Sequence, residues 1–347
     1  GSQQGEQNSD QTATGTSSET SAERDPNQGA GQGGDKGGTG VQRLREQLEE
    51  IRDEARRAKQ NQQRADDIRD RARELLDGMS DDDFFAAMRD TTMLDMTLPF
   101  SVQTPQWANY VPLSVNYTKR VGGQYFGLGR NNAHCRASFH LATHMDGEKH
   151  FHAAGRTIGQ MPFEHWFGPG VIVDISDTVS NSSVYTPAMI EERVDIQKGD
   201  ILIIKTGYYK YGWNSPDSDE FRYMIKHPGP SPDFADWCLA KEIKWLGIDC
   251  VAMEHPMNTI QRIWHPKTFA EANQKLIDQY GKDWDEMYPL DKFYQDMHLN
   301  LFNKGVVHAE NLGGEISEAG NGRYFIAAFI QKGMELASCW GRFIAFR

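Results

Sequence analysis

The chain has 347 residues, room for one domain of about 200–260 residues plus further segments, and 38% hydrophobic residues with 8 Trp, 17 Phe and 12 Tyr can fill a substantial core. Lys and Arg number 37 against 49 Asp and Glu, a net charge of -12, and no basic stripe runs between the aromatics, which argues against nucleic acid as a partner. The longest apolar runs, such as residues 324–330, fall far short of the roughly 20 residues that cross a bilayer, so no membrane span is expected.

Residues 1–40 are almost entirely Gln, Gly, Ser, Thr, Asp and Glu, a composition that buries too little surface to offset the entropy of ordering, and a disordered tail is expected. Gly1-Ser2 stands where an initiator Met would be, as expected if a native leader had been removed, which favours an exported protein over a cytoplasmic one. Over 41–78, Val41, Leu44, Leu48, Ile51, Ala55 and Ala58 recur at steps of three and four, the stripe of an amphipathic helix. The stripe slips one position between Ala65 and Ile68 and runs on to Leu75 and Leu76, where Gly78 ends it. In the linker 79–90, Ser80 with Asp83 reads as a capping box opening a short helix with Phe84, Phe85 and Met88.

Across 91–347 the texture is α/β. Strand-like runs at 171–175, 201–206, 246–253, 306–310 and 324–330 alternate with helix-like stretches at 233–244, 268–280 and 290–303. The four cysteines, Cys135, Cys238, Cys250 and Cys339, are widely spaced without a CxxC pair, so neither a zinc ribbon nor a disulfide scaffold is indicated.

All 11 histidines lie between His134 and His308, five of them in the segment 134–152. His140, His144 and Asp146 form a His-x3-His-x-Asp pattern, a chemically reasonable half-site for zinc or manganese. A regular helix would turn Asp146 away from the histidines, and a straight strand would separate His140 from His144 by about 13 Å. The segment must therefore bend, and Ala142 and Gly147 are the residues that allow it. Further ligands are expected from the region 296–314, where a helix ended by Gly305 and a returning strand can bring His298 near Glu310.

The segment His140-Leu-Ala-Thr143-His144-Met-Asp146-Gly-Glu-Lys-His150-Phe151 resembles the His-x-Gly-Thr-His-x-Asp-x-Pro-x-His-Phe signature of the putative cyclase family, which includes bacterial kynurenine formamidase and isatin hydrolase. His298, followed by Glu310-Asn311-Leu312, resembles the family's second ligand segment. Leu94-Asp-Met-Thr-Leu-Pro, Thr157-Ile-Gly-Gln-Met-Pro, Gly168-Pro-Gly-Val-Ile-Val-Asp, Lys205-Thr-Gly and Gly247-Ile-Asp249 fall where the family has similar stretches, so the resemblance spans about residues 91–347.

It implies a swivelling β/β/α domain that forms homodimers and binds a small-molecule substrate. It further implies one or two divalent ions, Zn2+ or Mn2+, on His140, His144, Asp146, His298 and Glu310, with Asp146 able to bridge, and proton transfer by His150. Trp107 matches an aromatic near the family's substrate pocket; Phe151, His152, Trp166 and His308 are further candidates to face substrate, the last two histidines by sharing strand parity with His150 and Glu310. Two departures stand out. Ala142 replaces the motif Gly, and Glu148 replaces the motif Pro, which is expected to set another carboxylate beside the site.

The chain contains no GxSxG, GxxxxGK[ST] or HExxH pattern. The favoured expectation is a metal-dependent hydrolase acting on an amide, lactam, imide or lactone. The alternatives are a metal-dependent cyclase or dehydratase and a non-catalytic metal-dependent binding protein.

Overall fold

The computed structural model describes residues 80, 82, 86, 89–107, 109–121 and 129–347. The tail expected over 1–40 and the helix expected over 41–78 lie outside the described residues; within 79–90, Asp82, Ala86, Arg89 and Asp90 are helical. From Ala86 onward the described residues belong to one compact unit, Phe85–Arg347.

The strands among the described residues are β1 (Met93–Asp95), β2 (Ser114–Lys119), β3 (Asn132–Arg136), β4 (His144–Asp146), β5 (Phe167–Asp174), β6 (Val184–Tyr185), β7 (Ile201–Lys205), β8 (Gly229–Pro230), β9 (Trp245–Ile248), β10 (Val307–Glu310), β11 (Gly322–Ile330) and β12 (Ser338–Phe346). The main sheet runs β1-β12-β11-β5-β7-β9-β10-β4, and β4 also pairs with β12. That second pairing closes seven strands into a barrel-like ring, with β1 as an extra strand on β12. Strands β5, β7, β9 and β10 are mutually parallel, whereas β4, β11 and β12 run antiparallel to their neighbours. The result is a mixed α/β single domain.

Side-chain alternation along the ring decides which residues fill it. Met145, Ile172, Ile201, Ile203, Trp245, Val307, Ala309, Ile326, Ala328, Cys339, Phe343 and Ala345, drawn from every strand of the ring, form one buried cluster. The intervening Val171, Val173, Leu202, Ile204, Leu246 and Ile248 join a second cluster with the helix Phe234–Ala240 and with Met297 and Leu301. Strands β5, β7 and β9 are thus buried on both faces, which is why they read as unbroken apolar runs. On β4 and β10 the outer positions are not apolar: they are His144, Asp146, His308 and Glu310.

Two expected elements differ. The stretch 290–303 is two helices, Leu290–Phe293 and Asp296–Phe302, because Gln295 takes a left-handed conformation with φ 55°. The strand expected over 246–253 ends at Ile248, and the chain turns so that Val251 and Ala252 reach a cavity.

The turn is anchored by Asp249, which is fully buried. Its carboxylate accepts the Thr206 backbone N–H at 2.8 Å, the Thr206 hydroxyl at 2.6 Å and the Gly207 N–H at 2.7 Å, tying the end of β9 to the end of β7. Burial pushes this carboxyl up to about 6 against those hydrogen bonds. Asp249→Ala strands three buried donors and is expected to cost about 3 kcal/mol or more. In a domain of this size that lowers the thermal midpoint by roughly 6–12 °C, and a shift under about 2 °C in a melting experiment would contradict the anchoring role.

Candidate active site

The bend expected between His140 and His144 is present and sits at Ala142, whose φ of 57° places it in the left-handed region. A non-glycine residue there costs roughly 1–2 kcal/mol. Thr143, just after it, fastens the bend: its hydroxyl accepts the Leu98 N–H at 2.9 Å and donates to the Asn311 carbonyl beyond β10. Asn109, Gln295 and Asn311 near the site also have positive φ, so local strain gathers here.

From the bend, β4 enters the sheet between β10 and β12. In register, Asp146 lies between His308 and Ser338, and His144 between Glu310 and Trp340. These six side chains share the outer face of three strands. The helix Asp296–Phe302 brings His298, and the 3-10 turn Glu148–His150 brings His150.

Asp146 is the centre. Its Oδ1 lies 2.8 Å from His140 Nδ1 and 3.3 Å from His144 Nε2, and its Oδ2 lies 3.8 Å from His298 Nε2. Glu310 completes the group, 3.8 Å from His144 Nε2 and 3.7 Å from His298 Nε2. Each imidazole is oriented from outside: His144 Nδ1 donates to the Ala142 carbonyl at 2.8 Å, His298 Nδ1 to Glu254 Oε1 at 3.0 Å, and His140 Nε2 meets Ser338 Oγ at 3.0 Å. Glu254 also accepts the His298 backbone N–H at 3.0 Å.

Such outer partners fix the tautomer that leaves the other nitrogen free to bind. His144 Nε2 and both Asp146 oxygens are buried without a completed hydrogen bond. Asp146, His298, His308 and Glu310 form one group whose donor atoms fit a divalent cation, and His140 and His150 form a second candidate group with the same Asp146.

The electrostatics agree with a site built for positive charge. Although burial opposes ionisation, His140 and His144 hold Asp146 well below the usual carboxylate range. Glu310 is likewise lowered, against burial and Asp146, by His308 and His298. Burial would lower His144, yet Asp146 raises it to about 9; Asp146 and Glu254 similarly raise His298 to about 10. His150 goes the other way. Burial, with the neighbouring His140 and His298, pushes it down to about 3, so it is neutral at pH 7.

The cluster opens into a small cavity of about 50 Å3, walled by Trp107, Tyr110, Phe151, Val251, Ala252, Thr259 and Gln295, with His150 at its side. Trp107 and Phe151 therefore lie where substrate-facing residues were expected. Trp166 does not: it is 5% exposed and packs in the barrel core. His152 follows the 3-10 turn, so strand parity does not carry it to the cavity wall. Glu148 also departs from expectation. Its carboxylate is turned onto Arg156, accepting from the Arg156 backbone N–H at 2.9 Å and from Nε at 3.0 Å, and adds no charge to the cavity. His308 is fully buried beside Glu310 rather than in the cavity wall.

Residues 94–255 match the model of the Putative cyclase family. Over these residues the chain is similar to the Putative cyclase family. That match holds His140, His144, Asp146 and His150 but ends before His298 and Glu310, which the fold brings beside them. Similar proteins include the kynurenine formamidases of Bacillus thuringiensis (strain Al Hakam) and Bacillus cereus, each 22% identical over 184 residues, 52% of this chain and 79% of theirs.

Among solved structures, isatin hydrolase A from Labrenzia aggregata bound to benzyl benzoate aligns with a TM-score of 0.57 at 16% identity, covering 79% of this chain and 98% of that one. An isatin hydrolase bound to the product analogue thioisatinate aligns at 0.58 and 17% identity, covering 78% and 99%. At these identities the structural likeness shows a shared fold alone.

The sequence did not point to Glu254, Ser338, Tyr110, Thr259 or Gln295. Glu254 follows the Gly247-Ile-Asp249 landmark closely enough to have been suspected. Ser338 reaches His140 only through the pairing of β12 with β4, which no local pattern encodes.

Proposed function

We propose that this protein is a metal-dependent hydrolase that opens an amide, lactam, imide or lactone bond of a small molecule. The observation that carries the reading is Asp146, buried with both oxygens unsatisfied amid His140, His144 and His298. His140, His144, Asp146, His298 and Glu310 would hold the ion, and the mix of imidazole and carboxylate suits Zn2+ or Mn2+. When bound, the ion supplies Lewis acidity, which makes water nucleophilic near neutral pH and polarises a carbonyl.

The chain's own residues supply the rest. His150, at the cavity wall and against His140, is placed to take a proton from the attacking water and return it to the departing nitrogen or oxygen. Trp107, Tyr110 and Phe151 offer ring faces to a flat substrate and exclude water from one side of it. The relatives named kynurenine formamidase and isatin hydrolase support this class of bond, and the family resemblance supports the swivelling β/β/α class and a homodimer.

The mass of the product decides the reaction. Incubated with a formamide, a cyclic imide and a lactone, the Zn2+- or Mn2+-loaded protein should give a product heavier by one water. A product lighter by one water would instead mean a dehydrating cyclase, and no product with any of them would count against catalysis on these bonds.

Metal uptake should also be linked to pH. In the metal-free chain His144 at about 9 and His298 at about 10 carry protons at pH 7, whereas ligation requires neutral imidazole. Binding is therefore expected to release about two protons at pH 7 and to strengthen as pH rises. Calorimetry in buffers of different ionisation heat measures this directly, and zero release or net uptake would contradict it.

A further inference from the structure

We propose that His308 is a metal ligand, completing with Asp146, His298 and Glu310 a four-donor pocket for a second divalent cation. The proposal rests on the metal-dependent reading of the site and extends it to a residue that the family signature does not include.

The backbone places His308 for this role. It lies directly opposite Asp146 in the β4–β10 ladder and two residues before Glu310, so all three side chains project from the same outer face. Its Nδ1 is 3.3 Å from Glu310 Oε1, and its ring meets the His298 ring edge-on with centroids 4.5 Å apart. One donor atom from each of Asp146, His298, His308 and Glu310 falls within 4.8 Å of all the others. Donors about 2.0–2.2 Å from a shared ion lie up to about 4.4 Å apart, so a contraction of a few tenths of an ångström closes the pocket.

The chemistry of the position argues the same way. His308 is 0% exposed; its Nδ1 faces Glu310 Oε1 at 3.3 Å, and its Nε2 has no partner. Phe302 packs on the ring at 4.5 Å, so the surroundings would accept an apolar residue. An unpaired Nε2 is costly to bury, and a leucine there would avoid the cost. A cation removes it by taking one nitrogen as a ligand. Asp146, which faces His140 and His144 through one oxygen and His298 through the other, would then help to hold both ions.

The test is an ion count. The metal-free full chain and its His308→Ala and His308→Gln variants are titrated with Mn2+, following bound ions by calorimetry and elemental analysis, with the thermal midpoint of each metal-free protein as the check on folding. The native chain is expected to take two ions, and each variant to keep one while the second weakens at least tenfold. Variants that take two ions with unchanged affinity, or a native chain that takes one ion as tightly as the variants do, would overturn the assignment.

Should both variants fail to fold, anomalous diffraction from Mn2+-soaked crystals of the native chain decides between an ion peak within bonding distance of the His308 imidazole and none. Hydrolysis is read separately. A count that falls from two to one supports the assignment whether or not a hydrolysed substrate is found, and an active enzyme with an unchanged count rejects it while leaving the hydrolase reading intact.

Discussion

Asp146→Asn is expected to abolish stoichiometric metal retention after dialysis and to lower kcat/KM by about 10³–10⁴, the equivalent of several kcal/mol of transition-state stabilisation. The substitution keeps volume while removing the carboxylate that lies 2.8 Å from His140 and 3.3 Å from His144. It also removes the cause that raises His144 and contributes to raising His298, so both imidazoles lose much of their affinity for protons. Elemental analysis of the dialysed variant reads the first effect and steady-state kinetics the second. A variant that retains its metal and most of its activity would displace Asp146 from the centre of the site.

His150→Ala separates proton transfer from metal holding. The ion content should stay that of the native protein, because the Asp146–Glu310 group with His144 and His298 stands without it. Turnover is expected to fall by about 10²–10⁴ with KM changed only a few-fold, the pattern of a residue that acts in the transition state. His150 sits against His140 with ring centroids 4.0 Å apart, so loss of metal in this variant would instead make it a ligand. A binding protein without catalysis would keep both metal and ligand affinity in the variant and have no turnover to lose.

The site was legible in the sequence because its chemistry is concentrated. His140, His144 and Asp146 lie within seven residues, and their spacing alone demanded a bend, which Ala142 supplies with a φ of 57°. The second ligand segment was legible for a different reason: the run before Gly305 and the strand after it form a local return, and His298 Nε2 and Glu310 Oε1 end 3.7 Å apart.

What failed were inferences that extended strand parity or local proximity beyond a regular element. His152 follows a 3-10 turn rather than continuing a strand, and Glu148 is captured by Arg156, eight residues away. Trp166 was expected to face substrate, but the 3-10 turn Phe163–Trp166 carries it into the barrel core.

The fold was half legible. The strands buried on both faces, β5, β7 and β9, announce themselves as apolar runs. The closing strand β4 does not, since its three residues are His, Met and Asp, and its identity depends on β10 and β12 on either side. Ring closure is a property of long-range pairing, as is the contact of Ser338 with His140. No pattern within a short window reveals either.

Chelation and reconstitution of the native chain test the central claim most directly. The protein stripped of metal and returned to a chelator-free buffer should not hydrolyse formamide, cyclic imide or lactone. Activity toward at least one of them should return on titration with Zn2+ or Mn2+ and saturate when the ions bound per chain saturate. Full hydrolysis by the stripped protein, or no hydrolysis of any of these bonds once the ions are bound, would contradict the account.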